Sequence, residues 1–232
     1  MKNRNFVLII SEQENGSNQT ADSNHPIVKS PSLSVAGPRP QSFFSRPTTT
    51  VARELLGCLL VRQLDGVRLS GIIVEAEAYI GEEDLACHAR VGRTPRTRVM
   101  YGPAGFSYVY FTYGIHWMLN VVTEKEGFPS AVLLRAIQPI DGIEMMQELR
   151  GKKNLSQLCS GPARLTQALA IQREQNSLNL CETSSEIWVE PGMHFLKSEI
   201  SSSPRIGLGQ TPEPWLSKPW RFIVKDNPFV SR

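Results

Sequence analysis

The stretch from Cys58 to Tyr79 constrains the fold more than any other part of the chain. Cys58–Leu64 is an apolar run that reads as a strand. Asp65-Gly66 is a hairpin turn signal, and Val67–Tyr79 returns as a long second strand. Further strands are expected at Phe106–Tyr113 and His116–Thr123, meeting at Gly114, then at Ala131–Ile137, Ile187–Val189 and Arg221–Val224. Helices are expected at Val51–Leu56, capped from Thr48–Thr50, at Glu82–Ala89, at Asp141–Arg150 and at Pro162–Ile171. Strands joined by tight turns with helices around them give an α+β domain: one antiparallel or mixed, curved sheet with a β-hairpin insertion.

Residues 1–45 differ in character. Asn, Ser, Gln, Thr and Pro dominate Ser11–Gln41, and such a segment buries too little apolar surface to offset its ordering entropy, so it reads as a flexible tail. Residues 46–232 read as one domain. The apolar run Phe6–Ile10 is too short to span a bilayer or to serve as a secretory signal, so no membrane partner is expected. The four cysteines contain no C-x-x-C pair, which argues against a zinc site built on paired cysteines and for reduced thiols. The expectation is a cytoplasmic, nucleoid-associated protein in a bacterium, or a nuclear one in a eukaryote. No cofactor or metal is called for.

The chemistry concentrates in Val74-Glu75-Ala76-Glu77-Ala78-Tyr79. Side chains alternate along a strand, so Glu75, Glu77 and Tyr79 share one face. A carboxylate among apolar strand residues is costly to bury unless it is paired or used, and close carboxylates tend to have separated pKa values. An exposed polar face on an edge strand is the competing reading. Arg135, inside Ala131–Ile137, needs an anionic partner, a carboxylate or a phosphate. Asn120, inside another apolar strand, is either a structural bridge or a reader of a ligand.

The net charge of +3, from 25 Lys and Arg against 22 Asp and Glu, names no partner by itself; its placement is more informative. Arg90, Arg93, Arg96 and Arg98 fall between Ala86 and Tyr110 with no acidic residue among them. Arg93-Thr94-Pro95-Arg96-Thr97-Arg98 is a basic loop suited to phosphate. Solvated surface arginines are the bland alternative. A second basic group, Arg205, Lys218, Arg221 and Lys225, lies near the end. Five aromatic residues in Phe106–Tyr113 follow the basic loop, and flat rings beside phosphate donors can stack bases. Phe106 and Phe111 read as core residues. Tyr108, Tyr110 and Tyr113 carry hydroxyls that fit polar roles, and Tyr113 sits at the hairpin tip.

The order of these segments resembles the alkyladenine (3-methyladenine) DNA glycosylase family of base-excision repair. The resemblance runs from about Val51 to Ser231. It is carried by Val51–Gly57, Ile73–Tyr79, Thr94–Arg98, Tyr108-Val109-Tyr110, Tyr113-Gly114, Leu133-Leu134-Arg135-Ala136, Leu158–Pro162, Arg205–Gly209 and Lys218-Pro219. The basic loop is about one residue shorter than in eukaryotic members, and Gln210–Trp215 differs.

The resemblance implies an enzyme that flips a damaged purine out of duplex DNA and hydrolyses its N-glycosidic bond. It implies Glu77 as the base that activates water, with Arg135 and the backbone carbonyl of Ile206 around that water. It implies Tyr79, His88 and Tyr110 as the pocket for the flipped base, Asn120 as a block to guanine, and Met118 on the pocket wall. Tyr113 becomes the wedge in the duplex, and Leu133, Arg93, Thr94, Arg96 and Arg98 contact DNA. The implied substrates are 3-methyladenine, 7-methylguanine, hypoxanthine and ethenoadenine in double-stranded DNA. The implied enzyme is monomeric and monofunctional, because no lysine nucleophile matches. Two other readings compete: a non-catalytic damaged-DNA-binding module, and a hydrolase using Cys87 beside His88 or a Glu75/Glu77 pair.

Overall fold

A computed structural model describes residues 37–231 of the 232-residue chain. The described residues form an eight-stranded antiparallel sheet. Its strands are β1 (Leu59–Leu64), β2 (Val67–Ile80), β3 (Ser107–Thr112), β4 (His116–Val122), β5 (Ser130–Asp141), β6 (Ile187–Glu190), β7 (Ile200–Ser203) and β8 (Arg221–Val224). They run in the order β3-β4-β5-β2-β1-β6, with β8 pairing both β2 and β7. The four α-helices are α1 (Gln41–Phe44), α2 (Thr48–Glu54), α3 (Ile143–Arg150) and α4 (Pro162–Ala168).

Strand β2 organises the site. Its first half pairs with β1 through the Asp65-Gly66 turn, where both residues have positive φ as a type I′ hairpin requires. Past Ile72 it leaves β1, shifts register between Ile73 and Ala76, and takes β8 as its new neighbour from Glu75 to Glu77. Strand β5 covers the other edge along nearly the whole length. Both edges of β2 are therefore paired where the two glutamates lie, which excludes the exposed edge-strand reading.

Val74, Ala76 and Ala78 point to one face and enter the main core with Val51 and Ala52 of α2 and Leu165 and Ala168 of α4. Glu75, Glu77 and Tyr79 take the other face. A smaller cluster of Cys87, Ala89, Met100, Tyr108, Val122 and Ala131 sits there, beneath two 3-10 turns at His88–Val91 and Arg98–Tyr101. Gly142 joins β5 to α3 with φ +71°, and a Cβ there would lie 2.3 Å from the Leu69 side chain, so only glycine fits.

Several expectations change. Most of the tail reading lies outside the described residues, but α1 falls within 1–45 and its Phe44 is fully buried, so the core starts earlier than residue 46. Thr48–Thr50 form the first turn of α2 rather than its cap. Glu82–Ala89 is not an α-helix. Asp84 accepts the N–H groups of Ile80 and Ala86 and holds turns there, a local bond that competes with the helix. Asp141 stays in β5, where it accepts from Ser70 and Arg68, so α3 starts at Ile143. Strand β7, Ile200–Ser203, has too little apolar alternation to be seen in sequence; it forms because β8 pairs with it. Phe111 is exposed and leans on Trp117, and Phe106 is half-buried, so neither belongs to the main core.

Candidate active site

The two glutamates are both fully buried, and both meet the guanidinium of Arg135 from β5. Their surroundings separate them. Glu75 is saturated: Oε1 accepts from Arg135 Nε (2.8 Å), Arg221 Nε (2.7 Å) and Ser231 Oγ (2.8 Å), and Oε2 from the Ser231 N–H (2.7 Å). Glu77 takes three donors: the Ile206 N–H on Oε1 (2.7 Å), and the Tyr79 hydroxyl (2.9 Å) and Arg135 Nη1 (3.2 Å) on Oε2. A carboxylate takes about four donors in all; Glu75 has four and Glu77 three, so Glu77 has room for one more, at Oε1, its less crowded oxygen.

Burial would raise the pKa of Glu75, but Arg135, Arg221 and Ser231 outweigh it and hold Glu75 below the usual carboxylate range. Burial is also the largest influence on Glu77, and there it prevails over Arg135, Ile206 and Tyr79, so this carboxyl sits above the usual range. Burial and the adjacent Glu77 keep the Tyr79 phenol protonated. Of the two carboxylates, Glu77 is thus the more basic and the one with an open acceptor position.

A cavity of about 430 Å³ opens beside this pair. Tyr79, His88 and Tyr110 line it, as do Met118, Asn120 and Leu133. Arg135 and Ile206, which both bond Glu77, line it too, as does the exposed Tyr113. Ile206 meets Glu77 through its N–H; the resemblance gives its carbonyl a separate part, around the water. Asn120 donates Nδ2–H to the Tyr108 carbonyl (3.0 Å), the structural bridge, and also lines the cavity.

Tyr108, to which sequence reasoning assigned only a general polar role, also lines the cavity. Its hydroxyl meets Nδ1 of His88 at 2.9 Å and orients the imidazole, whose ring stands edge-on to Tyr110 at 4.4 Å. Burial, with Arg96 and Arg90 nearby, lowers the His88 pKa from 6.5 to about 4. The folded state therefore refuses a proton that the unfolded chain accepts. Stability falls as pH drops from about 6.5 to about 4. An NMR titration should show His88 neutral down to about pH 4; a midpoint near 6.5 would mean the ring is solvated.

The hairpin tip is strained. Tyr113 has φ +52° and Gly114 φ +69°, with Ile115 N–H closing the turn onto the Thr112 carbonyl. An aromatic residue in the left-handed region costs on the order of 1–2 kcal/mol. Tyr113 is also 82% exposed. Among the described residues its side chain takes part in no side-chain hydrogen bond, and strain of this kind is found most often at binding and active sites.

The basic segments divide. Arg93, Arg96 and Arg98 are exposed beside the cavity; Arg93 lies over Tyr101 and Arg96 over Tyr110. The Thr94 and Thr97 hydroxyls bond to each other, and Thr97 donates to the Gly92 carbonyl, which shapes the loop from within. The second group is not a free basic patch. Arg205 is buried against Asp84 at 2.6 and 2.9 Å, between the rings of Tyr79 and Trp220. Arg221 neutralises Glu75, Lys225 bonds the Ser198 carbonyl, and Lys218 lies over Trp215 and Trp220. Cys87 is buried, and burial raises its thiol to about 12, which argues against a Cys87–His88 nucleophile.

The family model described as Methylpurine-DNA glycosylase (MPG) matches residues 42–228. This chain belongs to that family. The glycosylase is 49% identical to a "Putative 3-methyladenine DNA glycosylase" of Methanocella arvoryzae, over 83% of this chain and 95% of the relative. Proteins of the same name from Clostridium acetobutylicum and Myxococcus xanthus are each 46% identical. They cover 82% and 83% of this chain, and 96% and 93% of those relatives. Membership makes this methylpurine-DNA glycosylase a DNA-repair hydrolase of N-glycosidic bonds.

Proposed function

We propose that this glycosylase flips alkylated or deaminated purines out of duplex DNA and releases them by attack of a Glu77-activated water on C1′. The relatives' names support 3-methyladenine as a substrate; 7-methylguanine, hypoxanthine and ethenoadenine are the further bases proposed. The observation that carries this reading is a buried, basic carboxylate with room for one more donor, held by three residues, Tyr79, Arg135 and Ile206, that line an aromatic cavity. A water donating to Oε1 loses its proton to Glu77 as its oxygen bonds to C1′. The glycosidic electron pair leaves with the base. Arg135 stabilises the buried charge of Glu77 and holds its other oxygen.

The faces of Tyr79 and Tyr110 suit cationic methylated purines, whose positive charge also weakens the glycosidic bond. The Asn120 amide, fixed by the Tyr108 carbonyl, would crowd the exocyclic amino group of guanine. The residues lining the cavity include no lysine, which supports a monofunctional enzyme without a Schiff base.

The test is release of free base from duplex oligonucleotides carrying one hypoxanthine or ethenoadenine, and from methylated DNA. The expected product is an abasic site with the strand uncut. Lesion binding with no release from any of these substrates would favour the non-catalytic binding module.

Tyr113 fills the gap left by the flipped nucleotide in this reading. Base–aromatic stacking is worth about 1–3 kcal/mol, so Tyr113→Ala should weaken lesion-duplex binding by about 5- to 150-fold. Its melting temperature should not fall, because the side chain is solvated and alanine relieves no buried contact. Unchanged affinity would remove Tyr113 as the wedge. The logarithm of the affinity for the duplex should also decline linearly with the logarithm of salt concentration if Arg93, Arg96 and Arg98 meet phosphates.

A further inference from the structure

Glu77 does not stand alone. Two carboxylates and two guanidinium groups, Glu75, Glu77, Arg135 and Arg221, form one buried cluster with no net charge. Arg135 lies closer to Glu75 (2.8 Å) than to Glu77 (3.2 Å), so the two acids compete for one cation. Arg221 comes from β8, opposite Glu77 in register, and its guanidinium reaches past to Glu75. It is held from behind by the Ser203 hydroxyl of β7. Ser231 closes the cluster from the end of the described chain, with two bonds to Glu75.

We propose that Glu75 and Arg221 are opposed positioning residues that set the basicity of Glu77 by dividing Arg135 between the two carboxylates. The proposal rests on the reading of Glu77 as the water-activating base. Neutralised by Arg221, Glu75 takes only part of Arg135 and leaves Nη1 for Glu77. Without Arg221, Glu75 claims Arg135 more fully and Glu77 becomes more basic. Without the charge of Glu75, Arg135 serves Glu77 alone and Glu77 becomes a weaker base. Burial raises the Glu77 pKa, Arg135 lowers it and Glu75 raises it, in line with this balance.

The other groups around Glu77 stay the same in every variant. They are Tyr79 on β2, Tyr110 on β3 and Arg205 ahead of Ile206.

The experiment is a pair of pH profiles of single-turnover base release, for Arg221→Gln and Glu75→Gln. The base must be ionised to act, so the rate falls on the acid side as Glu77 takes up its proton. Arg221→Gln should move that acid limb up by about one pH unit, and Glu75→Gln should move it down by about the same amount. Arg221→Lys keeps the charge and should stay near wild type. The double variant Glu75→Gln/Arg221→Gln removes one charge of each sign and should bring the limb back toward wild type. It also provides the test if Arg221→Gln does not fold.

A purely structural role would lower the plateau without moving the limb. Such a result, or a limb moving the same way in both single variants, overturns the proposal. A ¹³C carboxyl titration of Glu77 in the free protein, assigned by difference against Glu77→Gln, reads the same balance without turnover. Opposite shifts there, with no base released by the wild type, would keep the tuning and overturn the glycosylase role of Glu77. Absence of opposite shifts in an active enzyme would overturn the tuning alone.

Discussion

Glu77→Gln reduces base release by about 10²- to 10⁴-fold, the usual contribution of a positioned general base, while lesion-duplex binding survives. The substitution is close to isosteric. A glutamine oxygen can still accept from the Ile206 N–H, and Arg135 retains Glu75, so no cation is left buried without a partner. The cavity walls, which would bind the base, are separate side chains. What disappears is the ability of Oε1 to take a proton from water.

The measurement is single-turnover release from a hypoxanthine or ethenoadenine duplex, alongside affinity for the same duplex. Equal release by wild type and variant would remove Glu77 from the mechanism. Loss of binding and of thermal stability together would make Glu77 a scaffold residue. Glu75→Gln provides the contrast, since it changes the pH range of activity rather than eliminating turnover.

The second large effect concerns stability. Asp84→Ala should destabilise the fold by about 3–5 kcal/mol, the cost of leaving one member of a buried ion pair unpartnered. Asp84 and Arg205 are both without solvent exposure, and they share two short bonds. Among the described residues, Arg205 also bonds the Ala78 and Trp215 carbonyls and lies over the rings of Tyr79 and Trp220, none of which carries a negative charge. Asp84 also holds the turn leading to His88 through the Ile80 and Ala86 N–H groups. At about 2 kcal/mol/M for urea, the unfolding midpoint should drop by roughly 1.5–2.5 M.

The double replacement Asp84→Leu/Arg205→Met should recover most of this loss, because it removes both charges. An Asp84→Ala midpoint within a few tenths of a molar of wild type would show that water reaches Arg205 and that the pair is not a buried anchor. Arg46–Glu54, a pair with both partners well exposed, is the control; breaking it should cost less than about 1 kcal/mol.

Local patterns determined what the sequence could reveal. Alternation along a strand placed Glu75, Glu77 and Tyr79 on one face, and Asp65-Gly66 and Tyr113-Gly114 fixed two hairpins, because side-chain period and turn conformation depend on neighbours only. Arg135 inside an apolar run demanded an anion, and it found two. The family resemblance rested on the order of such segments and therefore survived mistaken element boundaries.

Tertiary structure decided which carboxylate is available. Glu77 is free at one lone pair because Arg221 and Ser231, 146 and 156 residues from Glu75, saturate its neighbour. The same distant pairing turned Arg205 and Arg221 from members of a second basic group into internal counter-ions, and Asp84 from a helix residue into a buried anchor. Burial and charge pairing are sums over groups brought together from far along the chain. A residue's own neighbours in sequence therefore do not reveal whether its charge faces a phosphate or a buried carboxylate.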